Sequence, residues 1–318
     1  MRFIHLIAAL AVAASAQAQN YPARAIKIIV PYAPGGLPDT MTRLVGGKLA
    51  EPLGQAIVVE NMGGAGGING VAEVVKATPD GYTLLVADVG QVAINPHLFS
   101  KLPYQPLKDL APVSLIGTSP LYLVAHPSVP VKSLKELVAL AKKEPGKLNY
   151  GSSGIGSIHH LATEALKAGF GIDLVHVPYK GTGQSVPALL GGQVALLYSA
   201  LPSIAGQLKD GKVKLLAISS AKRSPHTPDV PTVAENGIPG YDFVAEIGLL
   251  APAATPREVI QRLAGEMAKV AKQPDLVKRF TELGIDPAGS TPEAYAALNK
   301  SEYEKYGKLV KETGAKVD

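Results

Sequence analysis

Short runs of aliphatic and β-branched residues alternate with stretches of helical periodicity along most of the chain. This alternation restricts the fold to α/β domains built on mostly parallel sheets flanked by helices. Ala25–Pro31 (AIKIIVP), Ala56–Glu60, Thr83–Ala87 (TLLVA), Leu121–Ala125, Leu148–Gly151, Leu174–Val177, Val194–Tyr198 and Leu215–Ser219 read as strands. Thr40–Leu53 reads as a helix with Met41, Leu44, Val45 and Leu49 on one face. Further helices are expected over Val71–Ala77, Leu134–Lys143 and Ile158–Ala168, and near Ser185–Leu190, with a Pro-rich connection before Leu121. Leu249–Pro252 ends a short strand, and the remainder is helical over Arg257–Lys272, Pro274–Leu283 and Pro292–Thr313. The chain is expected to divide near Leu121 and to return near Phe243. Residues 19–120 with 244–318 then form one lobe and 121–243 the other, and two crossings make a hinge with a cleft between the lobes.

A chain of 318 residues is long enough for two such domains. Its 47% hydrophobic content excludes a disordered chain. With 5% aromatic residues and no Trp, a nucleic-acid binder that stacks bases is disfavoured. The formal charge of +5 is mild and spread along the chain. Cysteine is absent, which removes disulfides, thiolate metal sites, a cysteine nucleophile and a lipid-bearing Cys. Arg2, the apolar run Leu6 to Ala14 and Ala16-Gln17-Ala18 have the order of an export signal, residues 1–18, cut after Ala18. That run is well short of the roughly 20 residues that span a bilayer. A soluble periplasmic protein starting at Gln19 is expected.

Glycine-rich loops that lead from a strand into a helix carry the functional signal. A helix start exposes unpaired backbone N–H groups at the positive end of the macrodipole, and Gly lets a ligand approach that backbone closely. The first loop is Pro31-Tyr32-Ala33-Pro34-Gly35-Gly36-Leu37-Pro38-Asp39, with Pro38 at a helix start and Asp39 in the first turn. The second is Gly151-Ser152-Ser153-Gly154-Ile155-Gly156-Ser157, with Ser157 as N-cap of the helix carrying His160. The third is Tyr179-Lys180-Gly181-Thr182-Gly183-Gln184, and a fourth start lies at Ser199-Ala200-Leu201-Pro202. In α/β sheets such loops gather at the carboxyl ends of strands, where ligands bind. Four of them, spread over both lobes, point to a cleft for an anion.

Other chemistry finds less support. Strand Ala56–Glu60, Gly64-x-Gly66-x-x-x-Gly70 and the later Asp88 approximate a dinucleotide fingerprint but depart from its spacing, and a tight packing turn fits better. No nucleophile elbow and no zinc-protease helix occurs. His159 and His160 are adjacent, so on a helix they diverge by about 100° and cannot share a metal. His160 is open between a core residue and a ligand contact. Asp242 and Glu246 read as a solvated hinge face, and Lys132, Lys135, Lys142 and Lys143 as a solvated helix face.

Val30–Asp39 (VPYAPGGLPD), Gly151–Glu164 (GSSGIGSIHHLATE), Val175–Gly183 (VHVPYKGTG), Leu189–Ala195 (LLGGQVA), Ser220–Tyr241 and Gly248–Pro256 (GLLAPAATP) resemble the Bug family. These are the TctC-like periplasmic receptors of tripartite tricarboxylate transporters, and the similarity spans essentially the whole mature chain. The resemblance implies a two-lobed periplasmic binding protein, type II-like, that closes on one small carboxylate (a dicarboxylate, an aromatic acid or an amino acid) and delivers it to a permease of one large and one small membrane subunit. No catalysis, cofactor, metal or nucleic acid is implied, and a monomer is expected. Carried over, the ligand-binding positions are Tyr32, Gly35, Gly36, Leu37 and Asp39 on the first loop and Asp88, Gly90 and Gln91 after the third strand. The other lobe contributes Gly151, Ser152, Ser153, Gly156, Ser157 and His160, with Tyr179, Lys180, Gly181 and Ser199. Three positions depart from the family pattern: Leu37-Pro38 where a hydroxyl or small residue is usual, Ala195 for Asp, and Glu246 for Trp. They bear on the ligand's second end and tilt expectation toward an apolar or aromatic acid. The alternatives are a ligand-sensing partner of a membrane kinase and an exported enzyme in which His160 or Lys180 would be essential.

Overall fold

The computed structural model describes residues 21–313, so the proposed export signal lies outside the described residues. Among them no helix is long and apolar enough to cross a membrane. The chain opens with β1 (Ile26–Val30), α1 (Leu37–Leu53), β2 (Ile57–Asn61), α2 (Ile68–Val75) and β3 (Thr83–Ala87). A π-helical turn at Gly90–Ile94 continues as α3 (Asn95–Leu98), then come α4 (Pro106–Asp109) and β4 (Leu110–Pro120). The middle of the chain is β5 (Tyr122–Ala125), α5 (Leu134–Lys143), β6 (Asn149–Ser152), α6 (Ile158–Phe170) and β7 (Val175–Pro178). It continues with α7 (Thr182–Leu190), β8 (Leu196–Ser199), α8 (Leu201–Lys209) and β9 (Lys214–Ile218). The remainder is β10 (Val244–Pro252), α9 (Arg257–Val270), α10 (Pro274–Glu282), β11 (Asp286–Pro287) and α11 (Pro292–Thr313).

The strands form two mixed sheets, ordered β11-β4-β10-β3-β1-β2 and β7-β6-β8-β5-β9. In the first, β1, β2, β3 and β4 point one way, with β10 and β11 opposed. In the second, only β5 opposes the others. Most strands in each sheet are therefore parallel. Two of the three exceptions have a common origin: β5 and β10 are the first strands after each passage between sheets, and each inserts antiparallel between two others, whereas β11 is a two-residue edge strand on β4.

Ser219 ties the two passages together. Its N–H donates to the Leu121 carbonyl at 2.8 Å and its hydroxyl accepts from Leu121 N–H at 2.9 Å. Its carbonyl accepts from Phe243 N–H at 3.0 Å, and its hydroxyl donates to the Phe243 carbonyl. A third link is α11, which lies across β4 and the Gly90–Ile94 turn and also packs on α6 beside the second sheet.

The helices follow from local chemistry. α1 begins at Leu37, three residues before the periodic pattern starts, because extended Gly36 serves as N-cap and Pro38 places its missing N–H in the first turn, where no partner exists. It ends at left-handed Gly54, whose N–H bonds back to Ala50 and Glu51. Met41, Val45 and Leu49 are buried along one face. Ser133 caps α5 by accepting from Glu136 N–H.

The Pro-rich connection before Leu121 is in fact β4, which pairs with β10 along its whole length. Its prolines are accommodated by irregular pairing: the register shifts between Leu249 and Leu250, and Leu250 faces Pro112. β10 likewise runs from Val244 rather than ending a short strand at 249–252. Gly248 in β10 lies under Tyr295 of α11, and a Cβ there would overlap the phenol ring. Gly248→Ala should cost about 1–3 kcal/mol through overpacking of α11 on the sheet. Chemical denaturation checks this, and an unchanged midpoint would contradict that packing.

Candidate ligand-binding site

The carboxyl ends of the strands of both sheets face one another, and the loops leaving them meet across a narrow cleft. On the first side, β1 runs into the loop that starts α1. Tyr32 donates its hydroxyl to the Asp88 carboxylate, 3.0 and 3.1 Å from its two oxygens, and accepts from Gln91 Nε2 at 2.8 Å. Asp88 Oδ1 also accepts from Gly90 N–H at 2.7 Å, and Gln91 Oε1 accepts from Asp88 N–H at 3.1 Å. Burial pushes the Asp88 carboxyl up to about 6, against the lowering effect of the Gly90 N–H and the Tyr32 hydroxyl.

On the second side, β6 ends in the loop that starts α6. Ser152 Oγ lies 2.6 Å from His176 Nε2 and accepts from Gly154 N–H. Ser157 caps α6 by accepting from His160 N–H, and donates its hydroxyl to the Gly154 carbonyl at 2.7 Å. The Gly181–Thr182 start of α7 and the Ala200–Leu201 start of α8 complete this side.

The cavity between the sides is lined by Tyr32, Gly36, Leu37, Pro38 and Asp88 from the first, and by Ser153, His159, Thr182 and Ala200 from the second. Leu121, Ala245 and Ile247, from the passages between sheets, form the floor. Three helices begin here with no side-chain cap, at Gly36, Gly181 and Ala200. Their first-turn N–H groups are the natural partners of an anion.

The rims touch in this structure. Ala33 N–H donates to the Lys180 carbonyl at 2.9 Å, and Ser203 Oγ reaches the Gly35 carbonyl at 3.4 Å. A Cβ on Gly36 would stand 2.7 Å from Thr182 Oγ1, and one on Gly183 would strike the Pro34 carbonyl. With the rims in contact, little space is left between the residues that line the cleft.

Tyr32, Gly36, Leu37, Asp88 and Ser153, among the residues singled out from sequence, line this cavity. Gly35 and Asp39 do not, because the Asp39 carboxylate turns back to accept from Gly35 N–H at 3.0 Å and Arg43 Nε at 3.0 Å. Burial opposes the ionised form of Asp39, but the hydrogen bonds from Arg43 and Gly35 outweigh it and hold its pKa below the usual value. Gly90 and Gln91 stand behind Asp88 as its supports. Gly151 and Ser152 end β6, and Gly156, at positive φ, is pressed against Asn95. Ser157 is used as the cap. His160 points away from the cleft: its ring stacks on His176 with centroids 4.4 Å apart, and Nδ1 accepts from Gly156 N–H at 3.4 Å.

Its neighbour His159 lines the cavity instead, buried, with no partner for Nδ1. Burial lowers its pKa to about 4. Nothing in the sequence separates the two histidines except helical phase. Tyr179 and Lys180 border a different groove, formed with Gly64–Gly66 and Ile155, and the Lys180 side chain is exposed. Gly181 caps α7 and packs on Ala33. Ser199 is buried with its hydroxyl toward the Ala200 carbonyl, so Ala200 holds the lining position. Thr182, Ala200 and Pro38 belong to the same Gly-rich or strand-to-helix loops and also line the cavity. Leu121, Ala245 and Ile247 carry no sequence signal beyond their place at the crossings.

The Gly64–Gly70 segment is a turn in which Gly66 packs against the Ile155 carbonyl of the opposite side. Its carbonyl accepts from Gln91 and Asn95, which leaves a compact contact in place of a phosphate cradle. Of the three departures from the family pattern, only Leu37-Pro38 reaches the cavity. Ala195 donates its N–H to Asn149 Oδ1. Glu246 alternates with Ala245 and Ile247 and so faces α11 rather than the cavity.

The match to known proteins agrees with this architecture. Residues 41–315 fit the model of the tripartite tricarboxylate transporter family receptor. BugT of Bordetella pertussis is 38% identical over 312 residues, covering 98% of this chain and 96% of that protein. The solved structure of the periplasmic binding protein BugD superposes with a TM-score of 0.89 at 33% identity, over 93% of this chain and 99% of that one. MatC from Rhodopseudomonas palustris with bound malate gives 0.88 at 35% identity, over 91% and 100% of the two chains. An R. palustris protein with adipate gives 0.90 at 32% identity, over 93% and 100%. The two-sheet architecture is that of the periplasmic binding proteins. The chain belongs to the receptor family of the tripartite tricarboxylate transporters.

Glu246 is not a solvated hinge residue. Burial, with the nearby Glu302 adding to it, pushes its carboxyl from 4.5 up to about 8; Lys305 acts against the shift and Asp242 adds to it. A folded-state pKa above the unfolded value means that stability falls as pH rises through the window from about 4.5 to about 8. Glu246→Gln should therefore raise the melting temperature by a margin that grows across that window and levels off above it. Thermal melts at pH 5 and pH 8.5 test this, and equal margins would refute it.

Proposed function

We propose that this chain is a periplasmic solute-binding protein that closes two lobes on a small carboxylate and presents it to a two-subunit membrane permease. The lobes are residues 19–120 with 244–318, built on the first sheet, and residues 121–243, built on the second. The observation that carries the reading is the convergence of three helix starts without side-chain caps on one interlobe cavity. Backbone N–H groups there hold an anion with no need for a lysine or arginine, and none lines the cavity. The ligands named with the family's solved relatives, malate and adipate, are carboxylates. Binding contacts drawn from both sides exist only when the rims meet, so the ligand shifts the open–closed equilibrium toward closure.

Catalysis is disfavoured on geometry. Asp88 and His159 share the cavity without a hydrogen bond between them, the Ser152–His176 pair does not line it, and His160 and Lys180 lie outside it. Among the described residues no three His, Asp or Glu side chains gather as a metal site.

A thermal-shift screen over dicarboxylates, aromatic acids, amino acids and nicotinate should find an acid that raises the melting temperature. Its primary amide should bind roughly a hundredfold more weakly, about 2.7 kcal/mol. Equal affinity for acid and amide would defeat the reading. Gly183→Ala should fold normally, since its clash with the Pro34 carbonyl exists only across the closed rims. It should weaken binding of that acid about tenfold or more, about 1.4 kcal/mol. Unchanged affinity by calorimetry would show that closure takes no part.

A further inference from the structure

We infer that the ligand carries a positively charged group beside its carboxylate, as in an amino acid, and that Asp88 receives that group. The inference rests on the carboxylate-binding reading above and narrows it. Four carboxylates are fully buried among the described residues: Asp39, Asp88, Glu266 and Glu302. Asp39 is paired with Arg43 at 2.9 Å, Glu266 with Arg262 at 2.9 Å and Lys269 at 3.0 Å, and Glu302 with Lys305 at 3.1 Å. Of these four, Asp88 alone has no ion pair, although it is 2% exposed; the half-buried Glu246 also lacks one, but it does not line the cleft. The partners of Asp88 are the Tyr32 hydroxyl and the Gly90 N–H, both neutral. A buried carboxylate without a counter-charge is costly, and protein interiors otherwise pair such groups.

Asp88 is also the one of the four that lines the cleft. Its missing counter-charge can therefore come from an occupant. Two donors, the Tyr32 hydroxyl shared between the oxygens and the Gly90 N–H, leave lone pairs on both oxygens for an ammonium. The rest of the cavity supplies the opposite polarity through the starts of α1, α7 and α8. His159 Nδ1, buried without a partner, gives the ligand one further hydrogen bond. A cavity with an anionic end and a cation-seeking end fits a zwitterion. A plain diacid would set a second negative charge against Asp88.

The test compares matched pairs on the full chain by titration calorimetry at pH 7.5. Aspartate is set against succinate, 2-aminoadipate against adipate, and each common amino acid against its desamino acid. The amino acid should bind roughly tenfold or more tightly than its desamino partner, and Asp88→Asn should abolish that preference. A desamino acid that binds as well as or better than its amino acid overturns the inference. That result leaves the carboxylate reading intact and makes Asp88 a neutral donor to a second carboxyl. Persistence of the preference in Asp88→Asn also overturns it. Failure of every acid of both kinds to bind overturns both readings.

Discussion

The organisation of this molecule depends on backbone N–H groups that have no partner within their own helices. A helix start left without a side-chain cap must find its acceptors elsewhere, and here three such starts open onto one cleft. Side chains would keep the rims apart, so Gly36, Gly181 and Gly183 occur where the two sides come closest. The sheets lie behind this arrangement as its frame: each places the carboxyl ends of its parallel strands at the same cleft, and each takes in an antiparallel strand, β5 or β10, where the chain enters it.

Electrostatics divides the labour among acidic groups that look alike in sequence. Asp39 and Asp88 both follow a strand of the first sheet and are both buried. Asp39 is consumed locally, holding Gly35 and Arg43 in place. Asp88 faces the cleft and is steadied by Tyr32, Gly90 and, through its own N–H, Gln91. One acid shapes the loop and the other presents a charge. The difference lies in a single arginine four residues along the α1 surface.

The architecture was largely legible in the sequence because burial periodicity is local. β3, α5 and α11 occupy the residues that their patterns mark out. β4 escaped because two prolines speak against a strand, and only a long-range partner with shifted register reconciles them. The site was legible as loops but not as side chains. The Gly36-Leu37 and Ser153 loops lie where the strand-to-helix pattern puts them, yet His160 and Ser199 each gave way to an adjacent residue, His159 and Ala200. A shift of one residue on a helix or at a strand end turns a side chain from cavity to core, and pattern alone does not resolve it. The floor residues Leu121, Ala245 and Ile247 come together from segments more than a hundred residues apart, which no local window can join.

Ser219 has a consequence for motion. Because this one residue is bonded to Leu121 on the outgoing passage and to Phe243 on the returning one, neither can swing without the other. The pair behaves as a single axle. In the closure proposed above, small torsions there would be geared into much larger travel at the far tips, as in a pair of tongs whose pivot barely turns while the jaws sweep shut.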